Sequence, residues 1–154
     1  MVHALREIHR LLRRDGCLIE IHPVVGAPAV EVRRGAQLLF SEHDPGYDYE
    51  DDLLSAEDAI RQVTDSGAFA IERSDEFDLC IYSPSVAELR DHFAVSGAFD
   101  PDPKDETLAT LQDELYARVA EVMATSGEDA KVVYDEKARI TRLRPRVLEP
   151  STNT

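Results

Sequence analysis

The sequence predicts an α/β domain in which helices alternate with short strands. The first observation is a helix, a turn and a strand within residues 4–21, where apolar side chains recur at helical spacing and a continuous apolar run follows. The second is that helix-like and strand-like segments continue to alternate along the rest of the chain. The third is length, because 154 residues make one ordinary domain that buries about two thirds of its unfolded surface.

The opening helix is predicted from its apolar stripe. Gly16 is expected to end this helix, because a glycine directly after a helix can take the left-handed conformation that reverses the backbone. Leu18–Ile21 is then expected to form a short buried strand. The expected buried stripe of the helix consists of Leu5, Ile8, Leu11 and Leu12.

A β-hairpin is expected next. Val30–Arg33 and Gln37–Glu42 have strand-like composition and are separated by three residues with Gly35 in the middle. Gly35 can adopt the positive φ that such a turn needs. The segment His43–Asp52 that follows is acidic and is predicted to be a loop.

Three further helices are predicted from their capping residues. The first begins at Ser55 and ends at Gly67, and the second begins after Ser85. The third and longest begins at Asp102, with Pro103 in the first helical position. The expected buried residues are Ala59, Ile60 and Val63 in the first of these helices and Leu108, Leu111, Leu115, Val119 and Val122 in the third.

Two strand-like regions each leave an alternative open. Residues 69–82 form either a hairpin that turns at 74–76 or one long bulged strand. Residues 131–143 form either one bent strand or a second hairpin. Residues 149–154 are expected to be a disordered tail, so the sequence predicts a single domain over residues 1–148.

Charge and composition exclude several classes of protein. The formal net charge of -14 would repel a polyanion, so no nucleic-acid partner is expected. No apolar run is long enough to span a membrane, and no secretory leader is visible. Cys17 and Cys80 lack the spacing of a disulfide framework or of a metal site. We therefore expect a cytoplasmic protein with reduced thiols and no bound metal.

The opening segment also carries a resemblance to a known enzyme family. The matching positions are Ala4, Leu5, Glu7, Ile8, Arg10, Leu12 and Gly16. They resemble the A-L-x-E-I-x-R-x-L-x-P-G-G helix, and the strand after it, of class I S-adenosylmethionine-dependent methyltransferases. The pair Arg14-Asp15 departs from the Pro-Gly of that pattern, although Asp-Gly can also turn a chain.

The resemblance implies a partial Rossmann-like sheet. Leu18–Ile21 would be strand five of the family sheet, strand six would lie in residues 69–82, and strand seven would lie in residues 131–143. The hairpin after strand five and the two helices between strands six and seven would be insertions. The chain would then be the C-terminal half of a methyltransferase, truncated or split, with the cofactor-binding half upstream of Met1.

The cofactor motif of that family is absent from this sequence. The family holds S-adenosylmethionine with a Gly-x-Gly-x-Gly turn after strand one. The closest glycines here, Gly26 and Gly35, are nine positions apart (35 − 26). The resemblance therefore implies that S-adenosylmethionine binds only if an N-terminal half completes the site, and that this chain alone binds no cofactor and is inactive.

The missing strand four implies an interaction surface. In the family sheet, strand five pairs with strand four, so the backbone groups of Leu18–Ile21 would lie at an open edge. This edge is expected to pair with a second copy in a homodimer, or with a separate N-terminal half.

Four side chains are candidate substrate-binding residues, and none is singled out as catalytic. His22 ends the proposed strand five, where ligands of open α/β sheets bind, and an imidazole with an ordinary pKa of about 6.5 would suit a general base. His43, Asp44 and Tyr47 in the acidic loop could line a substrate pocket or weakly hold a divalent cation. The sequence favours simpler alternatives, which are a His22 packed against Pro23 and a solvated acidic loop.

A second hypothesis requires no methyltransferase. Several candidate strands are joined by short turns, which would also allow an α+β domain with a mostly antiparallel sheet. Such a domain would act as a noncatalytic binding or regulatory module through contacts with other proteins.

Overall fold

The structure, a computed structural model, describes residues 1–97 and 105–146. This part of the chain has an α/β fold with four helices and a mostly antiparallel, open sheet of five strands. The antiparallel sheet of the alternative architecture is thus confirmed, whereas a Rossmann-like identity is not. The elements in order are α1 (Val2–Leu11), β1 (Leu18–Pro23), β2 (Ala29–Arg34), β3 (Gln37–His43), α2 (Glu50–Asp65), β4 (Phe69–Ser83), α3 (Val86–Gly97), α4 (Glu106–Thr125) and β5 (Ala130–Pro145).

The chain forms two compact units, and each is assembled from segments that are distant in sequence. Unit 1 contains Met1–Val25, Tyr49–Phe77 and the described residues from Lys137 onward. Unit 2 contains Gly26–Asp48 and the described residues between Asp78 and Glu136. The long strands β4 and β5 therefore contribute residues to both units.

Unit 1 is built around the antiparallel pair of β1 and β5. Leu18 lies opposite Leu143, and Pro23 lies opposite Ala138. Helices α1 and α2 pack against each other and bury their apolar faces here. The buried core residues of this unit are Leu5, Ala59, Ile60, Val63, Ala68, Phe69 and Leu143.

Unit 2 is built around β2, which pairs antiparallel with both β3 and β5. Val32 lies opposite Phe40 in β3 and opposite Val132 in β5. Helix α4 packs against β2 and β3. The buried core residues of this unit are Val30, Val32, Leu89, Leu115, Tyr116, Val119, Ala130, Val132 and Tyr134.

Helix α1 differs from its prediction in two ways. Leu12 leaves the helix in an extended conformation with ψ of 139°, so Gly16 does not end it, and Gly16 does not have a positive φ. Leu11 is 70% exposed rather than buried, whereas Val2, Ile8 and Leu12 pack against the core that contains Leu5. The predicted stripe was therefore wrong at Leu11, and the predicted glycine stop was wrong.

The predicted hairpin is confirmed by β2 and β3, with Gly35 at a φ of 59° in the turn. Strand β1 is also confirmed, but it is not buried on both faces, because Ile19 and Ile21 are exposed. Strands β4 and β5 are each continuous, so the single-strand alternative holds for both.

Helix α2 begins at Glu50, five residues before the predicted start at Ser55 (55 − 50). Its first turn contains Glu50, Asp51 and Asp52. Negative side chains there interact favourably with the partial positive charge of a helix N-terminus, so part of the predicted acidic loop forms the start of a helix.

The two later helices have clear caps. The Ser85 hydroxyl accepts a hydrogen bond from the Glu88 N–H at 3.2 Å, as predicted for α3. Asp105 caps α4 by accepting from the N–H groups of Thr107 and Leu108, and these bonds lower the pKa of its carboxyl below the usual value. The predicted start at Asp102 and Pro103 lies outside the described residues, and so does the predicted tail at 149–154. Across residues 1–97 and 105–146, no helix has the length and apolar character needed to cross a membrane.

Candidate functional site

Unit 1 contains a small cavity near the carboxyl end of β1. Its volume is about 180 Å³. The lining combines one imidazole, one carboxylate, one guanidinium, two hydroxyls and two apolar side chains. These residues are His22, Glu57, Ile60, Ile71, Ser74, Arg139 and Thr141.

The alternation of side chains along β1 places His22 in the lining of this cavity. Successive side chains of a strand point to opposite faces, so Glu20 and His22 share one face while Ile19 and Ile21 are exposed on the other. His22 lies opposite Arg139 in β5, so the register of the two strands brings these side chains together. The imidazole is consequently buried, with only 10% of the side chain exposed.

Glu20 fixes the orientation of the His22 ring. The Nδ1 atom of His22 lies 2.5 Å from Oε1 of Glu20. Because an ionised carboxylate can only accept, Nδ1 carries the hydrogen and donates it. In the neutral imidazole, Nε2 is then an acceptor with a free lone pair.

The Nε2 atom of His22 has no hydrogen-bond partner among the described residues, although it is buried. Its nearest charged neighbour is Oε1 of Glu57 at 3.8 Å, which is beyond hydrogen-bonding distance. Oε2 of Glu20 is buried and unpartnered in the same way. Buried polar atoms are normally satisfied, so an open acceptor beside a cavity indicates a place for a ligand or water.

Arg139 links two carboxylates at this site. Its guanidinium donates to Oε1 of Glu57 at 2.8 Å and to Oε1 of Glu76 at 2.9 Å. The hydrogen bond with Glu76 is the main reason that the pKa of Arg139 is raised, so the guanidinium stays charged. Carboxylates thus outnumber guanidinium groups among these contacts, with Glu20, Glu57 and Glu76 beside the single Arg139.

The rest of the lining is less polar. The hydroxyls of Ser74 and Thr141 lie 3.1 Å apart and bond to each other. Ile60 and Ile71 add apolar surface. The cavity thus offers a proton-accepting nitrogen, a negative potential and a partly apolar wall.

The other three predicted site residues lie in unit 2 and do not line this cavity. His43 is exposed, and its Nδ1 donates to the carbonyl of Ala27 at 3.0 Å. The hydroxyl of Tyr47 accepts a hydrogen bond from the N–H of Gly26 at 3.3 Å. These contacts connect the loop after β3 to the segment before β2.

Asp44 holds the same loop to α4. Its buried carboxylate accepts from the N–H of Gly46 at 2.8 Å and from Nε2 of Gln112, which lies 3.0 and 2.9 Å from its two oxygens. The carboxylate is therefore already occupied by structural hydrogen bonds, and it does not point to an open ligand site.

Replacing Asp44 by alanine is expected to destabilise the fold by about 1–3 kcal/mol, because the N–H of Gly46 and the amide of Gln112 lose their acceptor. The measurement is the free energy of unfolding in urea. The matched control is Asp48→Ala, since Asp48 is exposed in the same loop. Equal losses in the two variants would contradict a structural role for Asp44.

Sequence reasoning missed four charged residues of the His22 site. Glu20 could have been found, because Glu20 and His22 are two positions apart in a predicted strand and must share a face. Glu57, Glu76 and Arg139 come from distant segments, and only the register of the sheet and the packing of α2 bring them to His22.

Neither cysteine nor any metal cluster provides a second site. Within the described part of the chain, no group of three His, Cys, Asp or Glu residues is arranged to hold a metal ion. Cys17 and Cys80 are free and half-buried. Burial and a hydrogen bond to Asp135 raise the pKa of the Cys80 thiol, which disfavours a nucleophilic role at neutral pH.

Comparisons with protein families, with curated proteins and with solved structures give no match to this chain. Function can therefore be inferred only from the geometry of the site and from the resemblance carried by residues 4–21.

Proposed function

We propose that this chain supplies the substrate-side portion of an S-adenosylmethionine-dependent methyltransferase, and that the strands which hold the cofactor add to the edge of β1. The position of β1 carries the proposal. It pairs with β5 on one side, and no other strand in the described residues pairs with it. An open strand edge favours pairing with another strand.

The strand order of unit 1 supports this proposal. The resemblance makes β1, β4 and β5 strands five, six and seven of the family sheet. Here β5 pairs antiparallel with β1 and also pairs with β4. The three strands that the resemblance assigns to the family sheet are thus joined in a single sheet.

The composition of unit 2 supports the proposal as well. The resemblance treats the hairpin β2–β3 and the helices α3 and α4 as insertions. The hairpin and both helices belong to unit 2, whereas α1, β1 and α2 belong to unit 1. The helices and the first strand assigned to the family fold therefore lie in unit 1 together with parts of β4 and β5, whereas the rest of β4 and β5 lies in unit 2.

The side chains of β1 suit an added strand. Ile19 and Ile21 are exposed on the face opposite His22. A large enzyme sheet is covered on both faces, so completion of the fold would bury these isoleucines. His22 would then lie at the carboxyl end of a central strand, where open α/β sheets bind their ligands.

The cofactor itself would be held by the added strands. The sequence contains no Gly-x-Gly-x-Gly turn, so its own residues offer no cofactor site of the family type. The site around His22 would contribute to binding of the methyl acceptor, and Nε2 could accept a proton from it.

The proposal is tested by calorimetric titration with S-adenosylhomocysteine. The purified chain alone should not bind it, and co-expression with the polypeptide encoded immediately upstream of Met1 should give micromolar binding. Ile19→Lys should weaken this assembly, because an edge charge opposes strand addition. Leu38→Lys is the matched control, since Leu38 is an exposed apolar residue of β3. Micromolar binding by the chain alone, or an upstream reading frame without Gly-x-Gly-x-Gly, would overturn the proposal.

The antiparallel sheet also favours a second candidate, a noncatalytic α+β domain that binds other proteins. Hydrogen exchange separates the two candidates. In the methyltransferase portion, the outward amides of Leu18–Ile21 exchange rapidly until the added strand is present. In a noncatalytic α+β domain, they exchange at the same rate with and without the upstream polypeptide.

A further inference from the structure

The cavity in unit 1 contains a buried acceptor that lacks a donor. Nδ1 of His22 is committed to Glu20, and Nε2 is a buried atom without a hydrogen-bond partner in a residue that lines the cavity. Oε1 of Glu57 lies 3.8 Å from Nε2. Two acceptors this close together can both be reached by one group that carries several hydrogens.

The charges around the cavity indicate which kind of ligand could donate a hydrogen bond to Nε2. Glu20 in β1, Glu57 in α2 and Glu76 in β4 lie in this region, and Arg139 in β5 bonds to Glu57 and Glu76. The charge of Arg139 is therefore already offset by two carboxylates, which makes it less attractive to an anionic ligand. The remaining negative potential favours a cation and repels carboxylates and phosphates.

The cavity is partly open, and the part of a ligand that enters it is limited to a few heavy atoms. The cavity has a volume of about 180 Å³. A protein cavity of roughly 150 Å³ can hold benzene, whereas sites for drug-sized ligands begin at about 300 Å³. Ile60 and Ile71 in the lining suit a short alkyl chain.

We infer that this cavity is a binding site for a primary ammonium group that carries a short alkyl chain. The ammonium donates to Nε2 of His22 and to the carboxylate of Glu57, and the chain packs against Ile60 and Ile71. Binding of the amine does not depend on the proposed function. If the chain does belong to a methyltransferase, this amine would be the methyl acceptor, and that further step rests on the proposed function.

The test is a titration of the chain alone with n-propylammonium chloride, followed by nitrogen NMR of the histidine rings. At pH 8, the Nε2 signal of His22 should shift and saturate. Sodium propionate and 1-propanol, which have the same chain length, should bind at least tenfold more weakly.

Two variants locate the binding site. Glu57→Gln keeps an oxygen that can accept from Arg139 but removes the charge, and it should weaken propylammonium binding about tenfold. His3→Gln removes an exposed histidine of α1 in the same unit and should leave the affinity unchanged. The amide spectrum of each variant shows whether it is folded.

The inference is overturned by any of three results: no saturable shift of His22 with propylammonium, propionate binding as tightly as propylammonium, or unchanged affinity in a folded Glu57→Gln variant. If Glu57→Gln does not fold, the comparison of the three ligands on the unmodified chain decides. This titration involves neither the cofactor nor a partner, so a negative result would contradict the amine site without contradicting strand addition at β1.

Discussion

Replacement of Leu115 by alanine is expected to lower the free energy of unfolding by about 2–5 kcal/mol. Leu115 is fully buried in α4 and belongs to the core of unit 2 with Val32 and Val132. Truncation removes apolar contacts and leaves a cavity that close-packed neighbours fill only in part. The measurement is urea denaturation followed by tyrosine fluorescence, since the chain has no tryptophan.

The same helix supplies the matched control. Leu111 lies one turn earlier in α4 and is 42% exposed. Leu111→Ala makes an identical chemical change but should cost less than about 1 kcal/mol, because a partly exposed side chain creates no closed cavity. Similar losses of unfolding free energy in the two variants would contradict the packing of the Leu115 face of α4 into the core.

Replacement of Arg33 by methionine is expected to cost about 3 kcal/mol. Arg33 forms an ion pair with Glu31, whose side chain is buried, and donates to Asp135 at 3.1 Å. Its hydrogen bond with Glu31 raises the pKa of Arg33, so the pair stays charged. Loss of one partner of a buried pair typically costs about 3–5 kcal/mol, and the 30% exposure of Arg33 places this case at the lower end.

An exposed pair of the same spacing is the control. Arg73 and Asp75 are also two positions apart in a strand, but the Arg73 side chain is 78% exposed. Arg73→Met should therefore cost less than about 1 kcal/mol. The double variant Glu31→Leu with Arg33→Met should recover most of the loss, because it leaves no buried carboxylate unpaired at position 31. A single Arg33→Met variant as stable as Arg73→Met would refute the prediction.

The sequence correctly predicted features that depend on neighbouring residues alone, such as turns and helix caps. Gly35 adopts the positive φ expected in the hairpin, and Ser85 caps α3 as expected. Leu11 shows the limit of such signals, because helical spacing places it near the stripe but only contact with α2 and the sheet decides which residues are buried.

Tertiary pairing overrode turn-like sequence in β4. Ser74-Asp75-Glu76 is polar and suits a turn, which left a hairpin open as an alternative. In the structure, Ser74 bonds to Thr141 and Glu76 bonds to Arg139, both in β5. These distant partners keep the strand continuous, and no pattern within residues 69–82 reveals them.

The candidate site was predictable only in part, for the same reason. His22 follows from its position at the end of a predicted strand, and Glu20 from strand alternation. Glu57 and Arg139 depend on strand register and helix packing. Asp44 could not be recognised as a structural residue, because its partner Gln112 lies far along the chain.

The segmented composition of unit 1 also restricts when it can fold. Its core joins Leu5 near the start of the chain to Leu143 in β5, which is among the last described residues to be synthesised. At ribosomal rates of about 5–20 residues per second, α1 must wait roughly 7–28 seconds for the strand that completes its core. Unit 1 is therefore expected to fold only after β5 has left the ribosome, and until then the apolar face of α1 remains available to chaperones.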